Sequence, residues 1–153
     1  MAGLASKTVK TLYVRDFFAW TQDQARKLRA RARNEIDWEN AAEEIASLGR
    51  SGKYEIENRM EVLLLRLPKW QYQPEKRASG LRGTIIEQRI RIRRRIEESP
   101  SLRDYPAQVL DDAYALARAG AEDETGLTPE SLPEICPFDA SSVLNSEYWP
   151  EAE

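Results

Sequence analysis

The apolar residues of this 153-residue chain recur at helical spacing in nearly every stretch between its glycines and prolines. That one pattern restricts the fold to packed helices, because side chains at i, i+3, i+4 and i+7 share one face of an α-helix, whereas a half-buried strand alternates. Over 16–32, Phe17, Thr21, Gln24, Leu28 and Ala32 cluster on one face, flanked by Phe18, Trp20 and Ala25. Asp16 suits the positive end of that helix dipole, and Arg26, Lys27, Arg29, Arg31 and Arg33 suit the negative end. A second helix is expected over 38–48, capped by Asp37 and burying Trp38, Ala41, Ala42, Ile45, Ala46 and Leu48. Gly49 and Gly52 predict a bend or break. A third helix follows from about Lys53, apolar almost all round at 62–67, with Pro68 ending or kinking it.

A polar connector is expected from Trp70 to Gly80, then a helix over 81–98 that stops at Ser99-Pro100. A fifth helix over 106–123 carries Val109, Leu110, Ala113, Leu116, Ala117, Gly120 and Ala121 on its apolar arc, and Gly126 supplies the stop. Beyond it, Thr128-Pro129 reads as a helix start and Asp139 as the cap of a short turn through Leu144. Leu132, Ile135, Phe138, Val143, Leu144, Tyr148 and Trp149 supply apolar surface for docking. The expected fold is therefore an all-α single-domain bundle of about five helices. Residues 1–12 read as a flexible arm, 13–126 as the bundle, and 127–153 as a proline-rich C-terminal wrap docked on it.

Histidine is absent and Cys136 is the single cysteine. These counts exclude Ser-His-Asp and Cys-His catalysis, imidazole metal ligation, an internal disulfide and a thiolate zinc site. Hydrophobic residues at 41% suffice for a core. No apolar run approaches the ~20 residues that span a bilayer, and residues 1–11 lack the apolar core of a signal peptide. The expected setting is the cytoplasm, with no membrane association and no cofactor.

The net charge of -3 hides segregation: 1–33 carries +6, 34–75 carries -4, 76–95 carries +7 and 96–153 carries -12. Internal neutralisation of the basic stretches by the acidic ones is the favoured reading. On the helix over 81–98, Arg82, Arg89 and Arg93 fall between isoleucine rows, where a guanidinium is partly buried and demands a partner. Glu39 and Glu43, one turn apart, supply the expected interhelical carboxylates, forming a polar network or anion site. The alternative is nucleic-acid binding through Arg82, Arg89, Arg91, Arg94 and Arg95. A further alternative is a metal-dependent hydrolase using Glu39, Glu43, Glu57 and Glu61. Trp70 and Tyr72, in Lys69-Trp70-Gln71-Tyr72-Gln73-Pro74, form a candidate aromatic surface that could stack bases, though covering a core end is the commoner role. Cys136 has no activating neighbour in sequence.

Several strings in order carry a resemblance. They are Asp16-Phe17-Phe18-Ala19-Trp20, Asp37-Trp38-Glu39-Asn40-Ala41-Ala42-Glu43-Glu44-Ile45, Lys69-Trp70-Gln71-Tyr72-Gln73-Pro74-Glu75, Cys136-Pro137-Phe138 and Tyr148-Trp149-Pro150. With them the chain resembles, over about 12–151, the bacterial family catalogued as domain of unknown function 29. The resemblance implies a small, mostly helical protein and no activity. Family members often carry a histidine where Arg66 stands and a leucine where Pro68 stands, so any chemistry that needs that histidine is missing from this member. The expected function is a non-enzymatic helical interaction module with an unidentified protein partner, a second copy of the chain among the candidates.

Overall fold

A computed structural model describes residues 12–77 and 79–153; the expected flexible arm falls almost wholly outside them. The protein is all-α, 78% helical with no strand among the described residues. After a short helical stretch over 12–15 come α1 (Phe17–Arg29), α2 (Trp38–Tyr72), α3 (Ser79–Glu98), α4 (Tyr105–Thr125) and α5 (Ala140–Leu144). Short 3-10 turns at Arg33–Glu35, Pro74–Lys76, Pro100–Leu102 and Pro129–Ser131 join them. The chain forms two compact units, one up to Ser51 and one from Gly52 onward.

In the first unit the expected caps are present. The Asp16 carboxylate accepts from the Ala19 amide at 2.9 Å, and Asp37 accepts from the Asn40 backbone amide at 3.5 Å and from its side-chain amide at 2.7 Å. The buried side of α1 is only partly the expected one. Trp20 and Gln24 are buried, whereas Phe17, Phe18 and Leu28 are exposed. Two contacts select that side: Gln24 Oε1 accepts from the Asp37 amide at 2.8 Å, and Trp20 meets the Tyr13 ring edge-on at 4.9 Å between centroids. Tyr13 in turn donates its hydroxyl to Glu44 at 2.5 Å.

The second unit holds the core. Ile56, Met60, Leu63, Leu64 and Leu67 of α2 pack with Leu81, Ile85 and Ile92 of α3, and with Ala113, Tyr114 and Ala117 of α4. Phe138 and Val143 complete the same cluster from the C-terminal segment, which Tyr114 also ties down by donating to the Pro133 carbonyl at 2.6 Å. Gly126 closes α4 at φ 74, as a left-handed C-terminal cap. Asp139 caps α5 by accepting from the Ser142 amide at 2.8 Å.

Two expected interruptions do not occur. α2 runs unbroken through Gly49 and Gly52 and continues past Pro68 to Tyr72. A helical glycine costs about 1 kcal/mol, too little to end a helix with partners on both sides of it. At Gly52 the Arg95 and Leu102 side chains approach the Cβ position to 3.9 and 4.0 Å. A mid-helix proline costs about 3 kcal/mol. Pro68 and its neighbours Leu63, Leu64 and Leu67 are buried, and each such side chain contributes ~1.5–3 kcal/mol, so burial wins. The expected connector therefore begins after Tyr72.

Candidate functional site

The helix start that the sequence marks as amphipathic is bare. The face of α2 expected to be buried carries Trp38 at 58% exposure, Ile45 at 70% and Leu48 at 74%, with Ala42 and Ala46 also exposed. This corrects the expectation of a buried face. Ala41, Glu44 and Ser47 are half-buried instead, and Glu44 accepts from the Tyr13 hydroxyl. The Trp38 indole is nevertheless held in place, its Nε1 donating to the Arg33 carbonyl at 3.1 Å. Val14 and Phe18 add exposed apolar surface to the same unit. Large contiguous apolar surface is uncommon on a protein that works alone.

The expected arginine–glutamate network takes a different form. Arg89 is only 2% exposed, yet its partners are backbone carbonyls: Nε donates to Val143 at 2.8 Å and Nη2 to Tyr148 at 2.8 Å. Its guanidinium carbon lies 5.1 Å from the Trp149 ring centroid. Burial pushes the Arg89 guanidinium below its ordinary value, with Tyr148 opposing. Arg82 and Arg93 are exposed, and the Arg82 guanidinium also lies over the Trp149 ring, 4.8 Å from its centroid. Glu43 pairs with Arg50 on its own helix, and Glu39 is exposed. A carboxylate partner was expected for Arg89 because backbone acceptors from 54 and 59 residues away leave no side-chain signature.

The carboxylate that links α2 and α3 is Glu55. It pairs with Arg95 in a short contact and with Arg59 at 2.9 Å. The Arg95 hydrogen bond, aided by Arg59 and opposed by burial, holds Glu55 below the usual carboxylate range. Arg95 also meets Glu98 at 3.0 Å, and Arg91 meets Glu87 at 2.8 Å. The i to i+4 spacing of Glu55 and Arg59 is legible in the sequence; the reach of Glu55 to Arg95, 40 residues on, is not.

Glu57 and Glu61 line a cleft of about 170 Å³ with Asn58, Val109, Asp112 and Leu116. Glu57 accepts a short hydrogen bond from Tyr105, which together with burial pushes the Tyr105 phenol up to about 12. Among the described residues no three carboxylates or thiols form a metal-holding group. Trp70 is half-buried, its ring centroid 4.7 Å from that of Trp149 and 4.6 Å from the Arg77 guanidinium carbon. Tyr72 is half-buried beside it, its phenol pushed up by burial and then by Glu153. Burial pushes the Cys136 thiol up as well, the opposite of activation. Among the described residues no helix is long and apolar enough to cross a membrane.

The family model described as "Domain of unknown function DUF29" matches residues 12–149. No curated protein matches the chain, and no solved structure does.

Proposed function

Since the chain belongs to the DUF29 family, whose description names no activity, we propose from its geometry that it is a non-enzymatic helical interaction module. The observation that carries this reading is the uncovered apolar face of α2: Trp38, Ile45 and Leu48 keep more than half of their surface in water. An amphipathic helix is stabilised mainly by burying its apolar side, so a partner protein supplies the missing cover. Nucleic-acid binding has less in its favour. Arg89 is buried, and Arg91 and Arg95 are engaged by carboxylates, which weakens the pull of the basic helix on phosphate. The lone thiol and the absence of a disulfide framework fit a bacterial cytoplasm as the setting.

The test is capture from the native cell with tagged wild type and tagged Ile45→Glu/Leu48→Glu. Both positions are exposed, so the variant folds. Proteins retained by wild type and lost by the variant support the reading; identical captured sets contradict it.

A further inference from the structure

We infer that α1 docks on an anionic lipid surface, lying in the plane of the headgroups; the inference is independent of the α2 face. At ~100° per residue, Phe17, Leu28, Thr21, Ala25 and Phe18 fall within an arc of about 100° of α1, beside the buried Trp20 and Gln24. Phe17, Phe18 and Leu28 are exposed, Phe18 at 73%, and Val14 just before the helix stands at 84%. Thr21 donates its hydroxyl to the Phe18 carbonyl of its own helix at 2.7 Å, so no unsatisfied donor interrupts the stripe. The stripe is a ridge ~17 Å long. A protein partner needs a groove cut to such a ridge, whereas lipid yields around it. A helix lying in the surface needs no spanning length of ~20 apolar residues, only an apolar side with basic residues flanking it.

Charge decides the class of surface. Residues 12–33 carry six basic and two acidic side chains, and both acids are engaged within the unit. Asp16 caps α1, and Asp23 pairs with Arg26 at 2.5 Å and Lys27 at 2.6 Å. Arg15, Arg29, Arg31 and Arg33 are exposed and form no ion pair among the described residues, so they are open to an outside anion. Glu35 and Asp37 follow, and residues 12–37 stay positive with both counted. The four arginines sit where headgroups would meet them: Arg15 precedes the ridge, Arg29 adjoins Phe18 on the helical wheel, and Arg31 and Arg33 follow. Arg31 adds an independent sign. It takes φ 56 where Ala32 donates back to the Lys27 carbonyl at 3.0 Å to close α1, a position that glycine fills without strain. The chain keeps a guanidinium there at a conformational cost, and no contact within the described residues repays it.

Co-sedimentation of the full chain with phosphatidylcholine vesicles containing phosphatidylglycerol, and with vesicles of phosphatidylcholine alone, tests this. The inference expects binding to the anionic vesicles that falls as salt rises, and far weaker binding to the neutral ones. Phe18 is exposed, so Phe18→Ser folds; it is expected to weaken binding by about tenfold. Arg31→Gly is expected to weaken binding by about fivefold while the thermal midpoint holds or rises, a split that a purely structural arginine would not give. Absence of binding to anionic vesicles at low salt overturns the inference, as does equal binding to both kinds of vesicle or an Arg31→Gly variant that binds like wild type. Phe18→Ser binding like wild type also overturns it, since that is the behaviour of a bare phosphate contact such as nucleic acid makes. If the vesicles are not bound while Ile45→Glu/Leu48→Glu still loses captured proteins, the lipid inference fails and the interaction reading stands.

Discussion

Arg89 shows what one residue can do in a helical core. Among the described residues its guanidinium is held by two carbonyls of the C-terminal segment and the face of Trp149, where a carboxylate was expected. Replacing it by methionine keeps an apolar stem but strands both acceptors. A buried polar group without a partner costs about 1–3 kcal/mol, so Arg89→Met is expected to lower stability by that order in urea unfolding. Amide exchange should rise over 140–149 more than elsewhere. Glu55 makes a prediction in pH. Its folded pKa is depressed, chiefly by Arg95, so its contribution is complete above the ordinary carboxylate value and disappears as pH falls through the lower folded value. Acid unfolding of Glu55→Gln should therefore lack part of the steepness of wild type in that window. Neither Arg89's acceptors nor Glu55's reach to Arg95 was legible in sequence, because each depends on which distant backbone or helix the fold brings near.

Among the elements, local chemistry was legible where it acts locally. Asp16 and Asp139 cap helices, Ser99-Pro100 stops α3, and Gly126 takes the left-handed conformation that ends α4. A Cβ at Gly126 would meet nothing within 4 Å, so the cost of Gly126→Ala is purely conformational, about 1–2 kcal/mol, measurable as a lowered thermal midpoint. Of the bend or break expected at Gly49 and Gly52 and the end or kink expected at Pro68, the break and the end do not occur in α2: a helical glycine costs only about 1 kcal/mol, and at Pro68 the burial of its neighbours outweighs the cost of the proline. The same helix permits a contrast between two isoleucines. Ile56 is fully buried, and Ile56→Ala should cost about 2–5 kcal/mol; Ile45→Glu should alter the stability of the single chain by only about 0.5 kcal/mol. Equal losses in calorimetry would mean that Ile45 is part of the core.

For the whole molecule, the segregated charge was legible, and part of its internal cancellation is visible in the second unit, where Arg95 of the basic stretch meets Glu55 and Glu98 of the acidic ones. The apolar face of residues 38–48 was legible too. What the sequence could not say is that the side chains of this face stay exposed among the described residues, since periodicity marks a side for burial without naming what buries it. Hydroxyl-radical footprinting, comparing dilute purified protein with the same protein labelled inside its native cell, bears on that point most directly. Ile135, at 80% exposure, serves as the internal standard. The expected result is strong labelling of Trp38, Ile45 and Leu48 in dilute solution and protection of all three in the cell, with Ile135 labelled in both. Labelling of the three residues that follows Ile135 in both settings would contradict the account.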